Sequence, residues 1–391
     1  MVPLSRAMRR WCKNMSGSES GSIEISGESS SDDPIEALRD ALNAVLKGLV
    51  SAGCGPHHLT AMRWETAEPA RFHPARYEIE LIYREVFVGF RTAVSLRRVA
   101  RAGVRAVATV RPPARTAGDT PVYGGYTLAQ LAREYSPRAQ ADTNAVLKQW
   151  SLDGARFRAM HHGLDLAYGP GRFESFDIFM PPGVERPPVW IFIHGGYWQA
   201  TDKNQHEQFA AGMLAAGFAV VMPNYGLLPE TPLSAIFAQL SRFIAFLISE
   251  ADNLGIDGAR LHLSGHSAGA HLAGLIAARD AVPTIRSVLL LSGLFDLAPL
   301  VPLPVGKLLK LKPHNVGALS PALLPQPAGL KIALAVGERE SDEFKRQSRQ
   351  LAAAWKAPEP MIVPGHHFSM LDGLNGGALL DLALSVAEGS E

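Results

Sequence analysis

The apolar positions of the chain change their spacing at a Pro- and Gly-rich segment, residues 111–125. Before it, apolar residues repeat with a helical period after Asp33 and Pro34, which predicts a helix that ends near Gly53. Four short runs predict strands at 22–26, 59–66, 92–96 and 103–110, and a further periodic run predicts a helix at 74–87. These elements predict a small α+β domain over residues 1–113, with much of 14–33 as loop.

After this segment, strand-like and helix-like runs alternate. Compact apolar runs predict strands at 174–179, 189–193, 218–222, 261–263, 287–291, 331–336 and 360–363. Amphipathic runs predict a helical region at 128–158 and helices at 233–250, 268–278, 342–355 and 377–387. Alternation of this kind is typical of a mostly parallel sheet covered by helices on both faces. The sequence therefore predicts an α/β domain over residues 126–391, joined to the first domain by a linker at 114–125.

Composition and charge exclude several classes of protein for this chain. The 391 residues allow two or three domains at roughly 100–200 residues each. Hydrophobic residues at 47% support a large core, and a net charge of +1 argues against a nucleic-acid binder that works by bulk charge. The two cysteines, Cys12 and Cys54, allow no disulfide framework and no four-cysteine zinc site, which favours a cytoplasmic location. No apolar run reaches the ~18–20 residues of a membrane span, and the N-terminus lacks a secretory pattern.

The candidate nucleophile lies in residues 265–269, which read GHSAG and fit the pattern G-x-S-x-G. The motif stands between a short apolar strand and an Ala- and Leu-rich helix, as a tight strand-to-helix turn requires. Small flanking residues let such a turn hold Ser267 in a strained, exposed conformation. The helix that starts at Ala268 points its N-terminal dipole at developing negative charge. We therefore predict Ser267 as the nucleophile of a serine hydrolase.

Residues 194–198, which read HGGYW, follow a predicted buried strand. Their first residue, His194, lies 73 positions before Ser267. This is the HGG type of oxyanion loop, in which glycines let backbone N–H groups converge. The N–H of Gly195 or Gly196, together with that of Ala268, is predicted to bind the oxyanion of a tetrahedral intermediate.

The other side chains of this loop have two interpretations. His194 is predicted to brace the turn rather than to act as a base. Tyr197 and Trp198 either line an aromatic substrate pocket or pack beneath the loop.

The base is expected after the last predicted strand, because the triad order in this fold is Ser, then Asp or Glu, then His. Of the 13 histidines, His366 and His367 follow that strand. We favour His367 and keep His366 as the alternative. His314 lies in a Pro- and Leu-rich insert and is predicted to be at the surface or in a lid.

The acid is expected in the loop after the strand at 331–336, where Glu338, Glu340, Asp342 and Glu343 compete. Asp342 is placed to cap the following helix, and Glu343 falls in its first turn. Glu340 is the best remaining candidate to orient the imidazole and stabilise its cation. Asp296, after the preceding strand, is a further alternative.

Several longer segments resemble the kynurenine formamidase (arylformamidase) branch of the α/β-hydrolases over about residues 126–388. They are HGGYW, NYGLLPE (224–230), GHSAGAHLAG (265–274), SGLFDL (292–297), VGERESDEFKRQS (336–348) and HHFSML (366–371). The resemblance implies Ser267 as nucleophile, Glu340 as acid and His367 as base. That family often carries Asp at the acid position, so Glu340 departs from the pattern. The neighbouring acidic residues therefore remain candidates for the triad acid.

The same resemblance implies hydrolysis of an aryl formamide such as N-formylkynurenine, without a metal or an organic cofactor. A broad carboxylesterase acting on aryl or small acyl esters is the alternative function. The predicted partner is therefore a small aromatic amide or ester, with no nucleic acid and no membrane.

Residues 1–113 resemble the reactive-intermediate deaminase (Rid) family through ISG at 25–27, the helix at 34–49 and the segment 87–110. Arg91 would match the carboxylate-binding arginine of that family. Where the family tends to place an acidic residue in its last strand, this chain has residues 105–107, RAV, which argues against deaminase activity. The resemblance implies a homo-oligomer assembled through this domain, and a non-catalytic binding or assembly protein is the third interpretation.

Overall fold

The structure, a computed structural model, describes residues 23–31, 33–51, 59–72, 94–99, 104–110, 120–137, 141–280 and 282–388. The chain divides into two compact units, Met1–Ala132 and Arg133–Glu391. The boundaries predicted from the sequence, with a linker at 114–125, stay a prediction. The helix predicted at 74–87, Arg91 and both cysteines lie outside the described residues.

The strands are β1 Ile23–Ser29, β2 Leu59–Thr66, β3 Val94–Arg98, β4 Val104–Val110, β5 Pro121–Tyr123, β6 Tyr126–Thr127, β7 Leu166–Ala167, β8 Ser175–Phe179, β9 Val189–Ile193, β10 Ala219–Pro223, β11 Leu261–His266, β12 Ile285–Leu291, β13 Lys331–Gly337 and β14 Met361–Val363. The α-helices are α1 Pro34–Ser51, α2 Leu128–Glu134, α3 Thr143–Arg158, α4 Ala211–Ala215, α5 Leu233–Ser249, α6 Ala251–Leu254, α7 Ala268–Arg279, α8 Pro304–Leu308, α9 Asp342–Ala354 and α10 Ala378–Glu388. Short 3-10 helices lie at Pro69–Phe72, Lys203–Gln205, Glu207–Ala210, Ala298–Leu300, Gly317–Leu319, Pro321–Leu323 and Ser369–Asn375.

The first unit contains a four-stranded sheet with the order β1-β4-β2-β3. The pairs β1–β4 and β4–β2 are antiparallel, and β2–β3 is parallel. Helix α1 packs on one face with Leu38, Leu42 and Val45 fully buried. Its backbone approaches so closely that a Cβ on Gly27 would lie 2.1 Å from the Ala41 carbonyl oxygen. Arg105 lies on the other face and pairs with carboxylates of β1 and β2 at 3.3 Å.

The second unit is built on an eight-stranded sheet with the order β14-β13-β12-β11-β9-β10-β8-β7. Strands β9 to β14 pair in parallel with one another, while β8 pairs antiparallel with β10 and with β7. Every residue of β9 is buried, as expected for a central strand covered by helices on both faces. Carboxyl ends of parallel strands meet at one edge of a sheet, where ligand sites of open α/β sheets lie. The loops after β9, β11, β12, β13 and β14 therefore gather there.

The structure corrects two local predictions. The helical region at 128–158 is two helices, because Asp142 starts a new helix by accepting hydrogen bonds from Asn144 N and Ala145 N. Ser341, rather than Asp342, is the N-cap of α9 and accepts from Phe344 N at 3.4 Å.

In the described part of the chain, no single helix has the length and apolar character that crossing a membrane requires. The bent pair Ser369–Asn375 and Ala378–Glu388 meets the two criteria jointly.

Candidate active site

The turn between β11 and α7 holds Ser267 in an unusual backbone conformation, with φ 55° and ψ −119°. Non-glycine residues at positive φ are uncommon, and such strained residues cluster at functional sites. The turn is also very tight: a Cβ on Gly265 would lie 2.5 Å from the Gly269 main chain, and one on Gly269 would lie 2.0 Å from the Ile193 oxygen. The G-x-S-x-G pattern is therefore a steric requirement of this turn.

The loop after β9 lies next to this turn and carries the N–H groups of two glycines. Tyr225 Oη donates to the His194 carbonyl at 2.8 Å, and Thr201 Oγ1 donates to the Gly195 carbonyl at 3.0 Å. The N–H and C=O of a trans peptide point in opposite directions. The N–H groups of Gly195 and Gly196 therefore point away from these hydroxyls. Gly195 also lies against the nucleophile, because a Cβ there would be 3.1 Å from Ser267 Cβ.

His194 is buried and contacts the main chain of its own loop. Its ring stacks on Tyr225 with centroids 4.3 Å apart, and Nδ1 lies 2.9 Å from the Gly195 carbonyl oxygen. Burial, and then the neighbouring His206, lower the pKa of His194 to about 3, so the ring is neutral. Nδ1 must then carry the hydrogen that the carbonyl accepts. The His194 side chain thus contacts both the Gly195 carbonyl and the Tyr225 ring.

Tyr197 and Trp198 follow the glycines with φ of 54° and 57°. Trp198 is fully buried, and its ring meets His271 edge-on at 5.0 Å, so it packs beneath the loop. Tyr197 is partly exposed and donates its hydroxyl to the Tyr135 carbonyl. Burial raises the pKa of Tyr197, which keeps this hydroxyl protonated as a donor.

Glu340 and His367 are brought together from the loops after β13 and β14. Glu340 Oε2 lies 2.7 Å from His367 Nδ1, with both side chains buried. The other oxygen, Oε1, accepts from Ser292 Oγ and from Gly337 N, the latter at 3.1 Å. A carboxylate at Nδ1 fixes the hydrogen on that nitrogen and leaves Nε2 as the basic one.

The other acidic candidates lie elsewhere. Glu338 and Asp342 are exposed. Glu343 is buried but accepts the Tyr135 hydroxyl at 2.6 Å and pairs with Arg346 at 2.9 Å. Asp296 accepts from the N–H of Ala298 at 3.0 Å, as a residue that caps the following turn does. The structure thus brings Glu340 to the imidazole.

The two adjacent histidines have different surroundings. His366 Nδ1 accepts from Phe368 N and Ser369 N, both at 3.2 Å, so this ring caps the following 3-10 helix. His367 is 1% exposed and lies against the nucleophile turn, since His266 Nε2 donates to its carbonyl at 2.8 Å. Burial lowers the pKa of His266 well below its ordinary value, so that neighbouring ring is neutral. His314 is exposed.

Three residues that support the site were missed by the sequence reasoning: Thr201, Tyr225 and Ser292. Tyr225 and Ser292 fall in segments that carry the family resemblance, so the signal was present without a role attached to it. Thr201, three residues after HGGYW, has no sequence signal. Among the described residues, no cluster of three or more His, Cys, Asp or Glu has an arrangement that could hold a metal ion.

Comparisons with known proteins find similar chains. Residues 176–289 match the BD-FAE family model. The kynurenine formamidase of Salmo salar is 30% identical over 231 residues, which span 55% of this chain and 77% of that protein. The kynurenine formamidase of Danio rerio is 29% identical over 259 residues, or 61% of this chain and 87% of that protein. The solved structure of a putative thioesterase from Silicibacter sp. TM1040 superposes with a TM-score of 0.59 at 31% identity, covering 65% of this chain and 97% of that one.

A strained serine turn, an HGG loop and an ordered carboxylate–imidazole pair at one sheet edge define a serine hydrolase of the α/β-hydrolase class. The fold class predicted for the second domain is confirmed, whereas the Rid resemblance of the first domain stays a prediction. Within the α/β-hydrolases, the chain belongs to the kynurenine formamidase family.

Proposed function

We propose that this protein is an arylformamidase that cleaves N-formylkynurenine or a close aryl formamide to the aryl amine and formate. The observation that carries the proposal is the 2.7 Å contact of Glu340 with His367 beside the Ser267 turn, because it supplies an oriented base to a strained nucleophile. The relatives named kynurenine formamidase support the substrate class.

In the first half-reaction, His367 Nε2 takes the proton of Ser267 Oγ as the oxygen attacks the formyl carbon. The oxyanion is held by the N–H groups of Gly195, Gly196 and Ala268, which need no reorganisation during the step. The imidazolium is stabilised by the Glu340 carboxylate. It then donates its proton to the departing aryl nitrogen, and the C–N bond breaks to leave a formyl ester on Ser267.

In the second half-reaction, water takes the place of the amine. His367 removes a proton from the water, the hydroxyl attacks the ester carbon, and the same N–H groups hold the second oxyanion. Collapse returns the proton to Ser267 Oγ and releases formate. The chain's own residues carry every proton transfer in this sequence.

A carboxylesterase with the same machinery is the second candidate function. The putative thioesterase at 31% identity favours it, because thioesters and esters are cleaved through the same acyl-enzyme step. An activated ester needs no protonation of its leaving group. The two functions therefore differ in the demand placed on the imidazolium of His367 as a general acid.

We further propose a cytoplasmic location and assembly of identical chains through residues 1–113. The proposals rest on the cysteine composition and on the Rid resemblance, respectively. Light scattering on the full chain is expected to give a multimer, and a monomer would remove the assembly proposal.

The test of the function is kcat/KM for N-formylkynurenine beside p-nitrophenyl acetate, measured on the wild-type enzyme and on Ser267→Ala. The proposal expects a large preference for the formamide and loss of both activities in the variant. A preference for the ester with poor formamide turnover would favour the carboxylesterase. Activity that survives Ser267→Ala would remove the proposed nucleophile.

A further inference from the structure

Tyr135 lies between α2 and α3, about 60 or more residues in sequence from every proposed catalytic residue. It is 3% exposed. Its hydroxyl donates to Glu343 Oε2 at 2.6 Å and accepts from Gln347 Nε2 at 2.8 Å. Burial, and then the Glu343 carboxylate, raise the pKa of Tyr135, so the hydroxyl remains a donor. The side chain is thus fixed to α9, directly after the loop that carries Glu340.

The main chain of the same segment contacts two site loops. The Tyr135 carbonyl accepts the hydroxyl of Tyr197, which follows the oxyanion glycines. The Glu134 carbonyl accepts Ser341 Oγ at 2.7 Å, one residue after Glu340. One short segment therefore touches both the oxyanion loop and the acid loop.

Gln347 extends these contacts to the loop after β12. Its Oε1 accepts from Phe295 N at 2.8 Å and from Asp296 N at 2.6 Å, while Nε2 donates to the Asp296 carbonyl at 2.7 Å. That loop begins at Ser292, the residue whose hydroxyl donates to Glu340. Buried networks in which each polar atom has a partner fix one arrangement of their parts.

We propose that Tyr135 is a positioning residue that couples the oxyanion loop to the acid–base pair. This inference rests on the proposed function, because the loops it couples are the proposed catalytic loops. Tyr135 has no role in the chemistry itself. Its hydroxyl fixes the segment to α9, and its carbonyl fixes Tyr197, so the distance between the oxyanion donors and His367 depends on both contacts. Misplacement of reacting groups by a fraction of an ångström lowers kcat more than it weakens ground-state binding.

A double-mutant cycle with Tyr135→Phe and Tyr197→Phe tests this coupling, because each variant removes one of the two contacts. We expect each single variant to lower kcat about tenfold with KM within about twofold. The double variant should also lose about tenfold in kcat. Once one of the two contacts is absent, the loops are no longer coupled, and removing the second contact has no further effect. A loss of about a hundredfold in the double variant would mean independent effects and would overturn the proposal. Unchanged kcat in both single variants would overturn it as well.

Tyr168→Phe is the matched control. Tyr168 is similarly buried and donates its hydroxyl to the main-chain carbonyl of Asn224 at 2.7 Å, without a contact to the acid loop. It should lower the thermal unfolding temperature while leaving kcat within about twofold. An equal loss of kcat in the control would mean that removing any buried tyrosine hydroxyl lowers kcat, and it would overturn the proposal.

All variants are measured on N-formylkynurenine and on p-nitrophenyl acetate, with Ser267→Ala as the blank. A preference for the ester would contradict the proposed substrate, and the cycle would still be decided on the ester, which uses the same loops. Turnover that survives Ser267→Ala would instead contradict the proposed machinery. The failures of the two proposals are therefore distinguishable.

Discussion

Replacing Glu340 by Gln changes one oxygen to an amide nitrogen with almost no change of shape. Oε1 of Glu340 accepts from two donors, Ser292 Oγ and Gly337 N. The carbonyl oxygen of the glutamine must occupy that position, because an NH₂ group there would face two donors. The amide NH₂ then faces His367 Nδ1, where the carboxylate oxygen lay at 2.7 Å.

This geometry predicts the size of the effect. Nδ1 has to accept from the amide, so the hydrogen moves to Nε2 and the ring cannot take the proton of Ser267. The variant also loses the attraction between carboxylate and imidazolium, about 4 kcal/mol for unit charges roughly 4 Å apart at an effective dielectric constant of about 20. That term alone is worth about a thousandfold in rate, and the wrong tautomer brings the expected loss of kcat to about 10⁴.

The assay is steady-state kcat on N-formylkynurenine, with thermal unfolding as the measure of folding. Glu338→Gln and Asp342→Asn are matched controls, since both side chains are exposed in the same loop region, and each should keep kcat within about twofold. Glu340→Asp keeps the charge and should retain more activity than Glu340→Gln. A folded Glu340→Gln variant with more than a tenth of the wild-type kcat would refute the reasoning, as would a large loss in Asp342→Asn.

Three further predictions concern the loop, the core and pH. Gly195→Ala should lower kcat about tenfold and lower the urea midpoint slightly, because the added Cβ would lie 3.0 Å from the His266 carbonyl oxygen and 3.1 Å from Ser267 Cβ and would displace the oxyanion donors; unchanged kcat would contradict it. Asp177→Asn should cost about 1.5–3 kcal/mol in urea unfolding, because the buried Lys203 ammonium loses one of its two carboxylate partners and keeps Asp165 at 2.7 Å. Burial lowers the pKa of His262 from 6.5 to about 4, so the unfolded state binds the proton first and stability should fall as pH drops through this window. His262→Gln should reduce the slope of that dependence, and an unaltered pH profile would exclude a contribution from this histidine.

The strands of the hydrolase fold were predictable because each buried strand is a short continuous run of apolar residues in the sequence. Val189–Ile193 is a continuous apolar run in the sequence and a fully buried central strand in the structure. Helix α5 was predicted at 233–250 and spans Leu233–Ser249. The break between α2 and α3 was not predicted, although residues 135–142, YSPRAQAD, carry a signal for it. Pro137 disfavours a continuous helix, and the side chain of Asp142 starts the next one.

In the candidate site, the motif residues could be placed from sequence because their roles depend on local turns. The choice among the acids after β13 could not be derived from spacing alone. It depends on which carboxylate meets the imidazole from another loop, and on Ser292, 48 residues before Glu340. The contacts of Tyr135 span about 200 residues to Glu343 and Gln347, a separation at which sequence pattern carries no information.

The central claim is that Ser267 attacks the formyl group, and titration with an organophosphonate that forms a covalent bond to an activated serine tests it most directly. Residual hydrolysis of N-formylkynurenine is measured against the amount bound, and peptide mass analysis locates the adduct. The account predicts that activity falls in proportion to labelling, reaches zero at about one equivalent per chain, and that the adduct is on Ser267. Formamide hydrolysis that persists in the fully labelled enzyme, or an adduct on another residue, would contradict it.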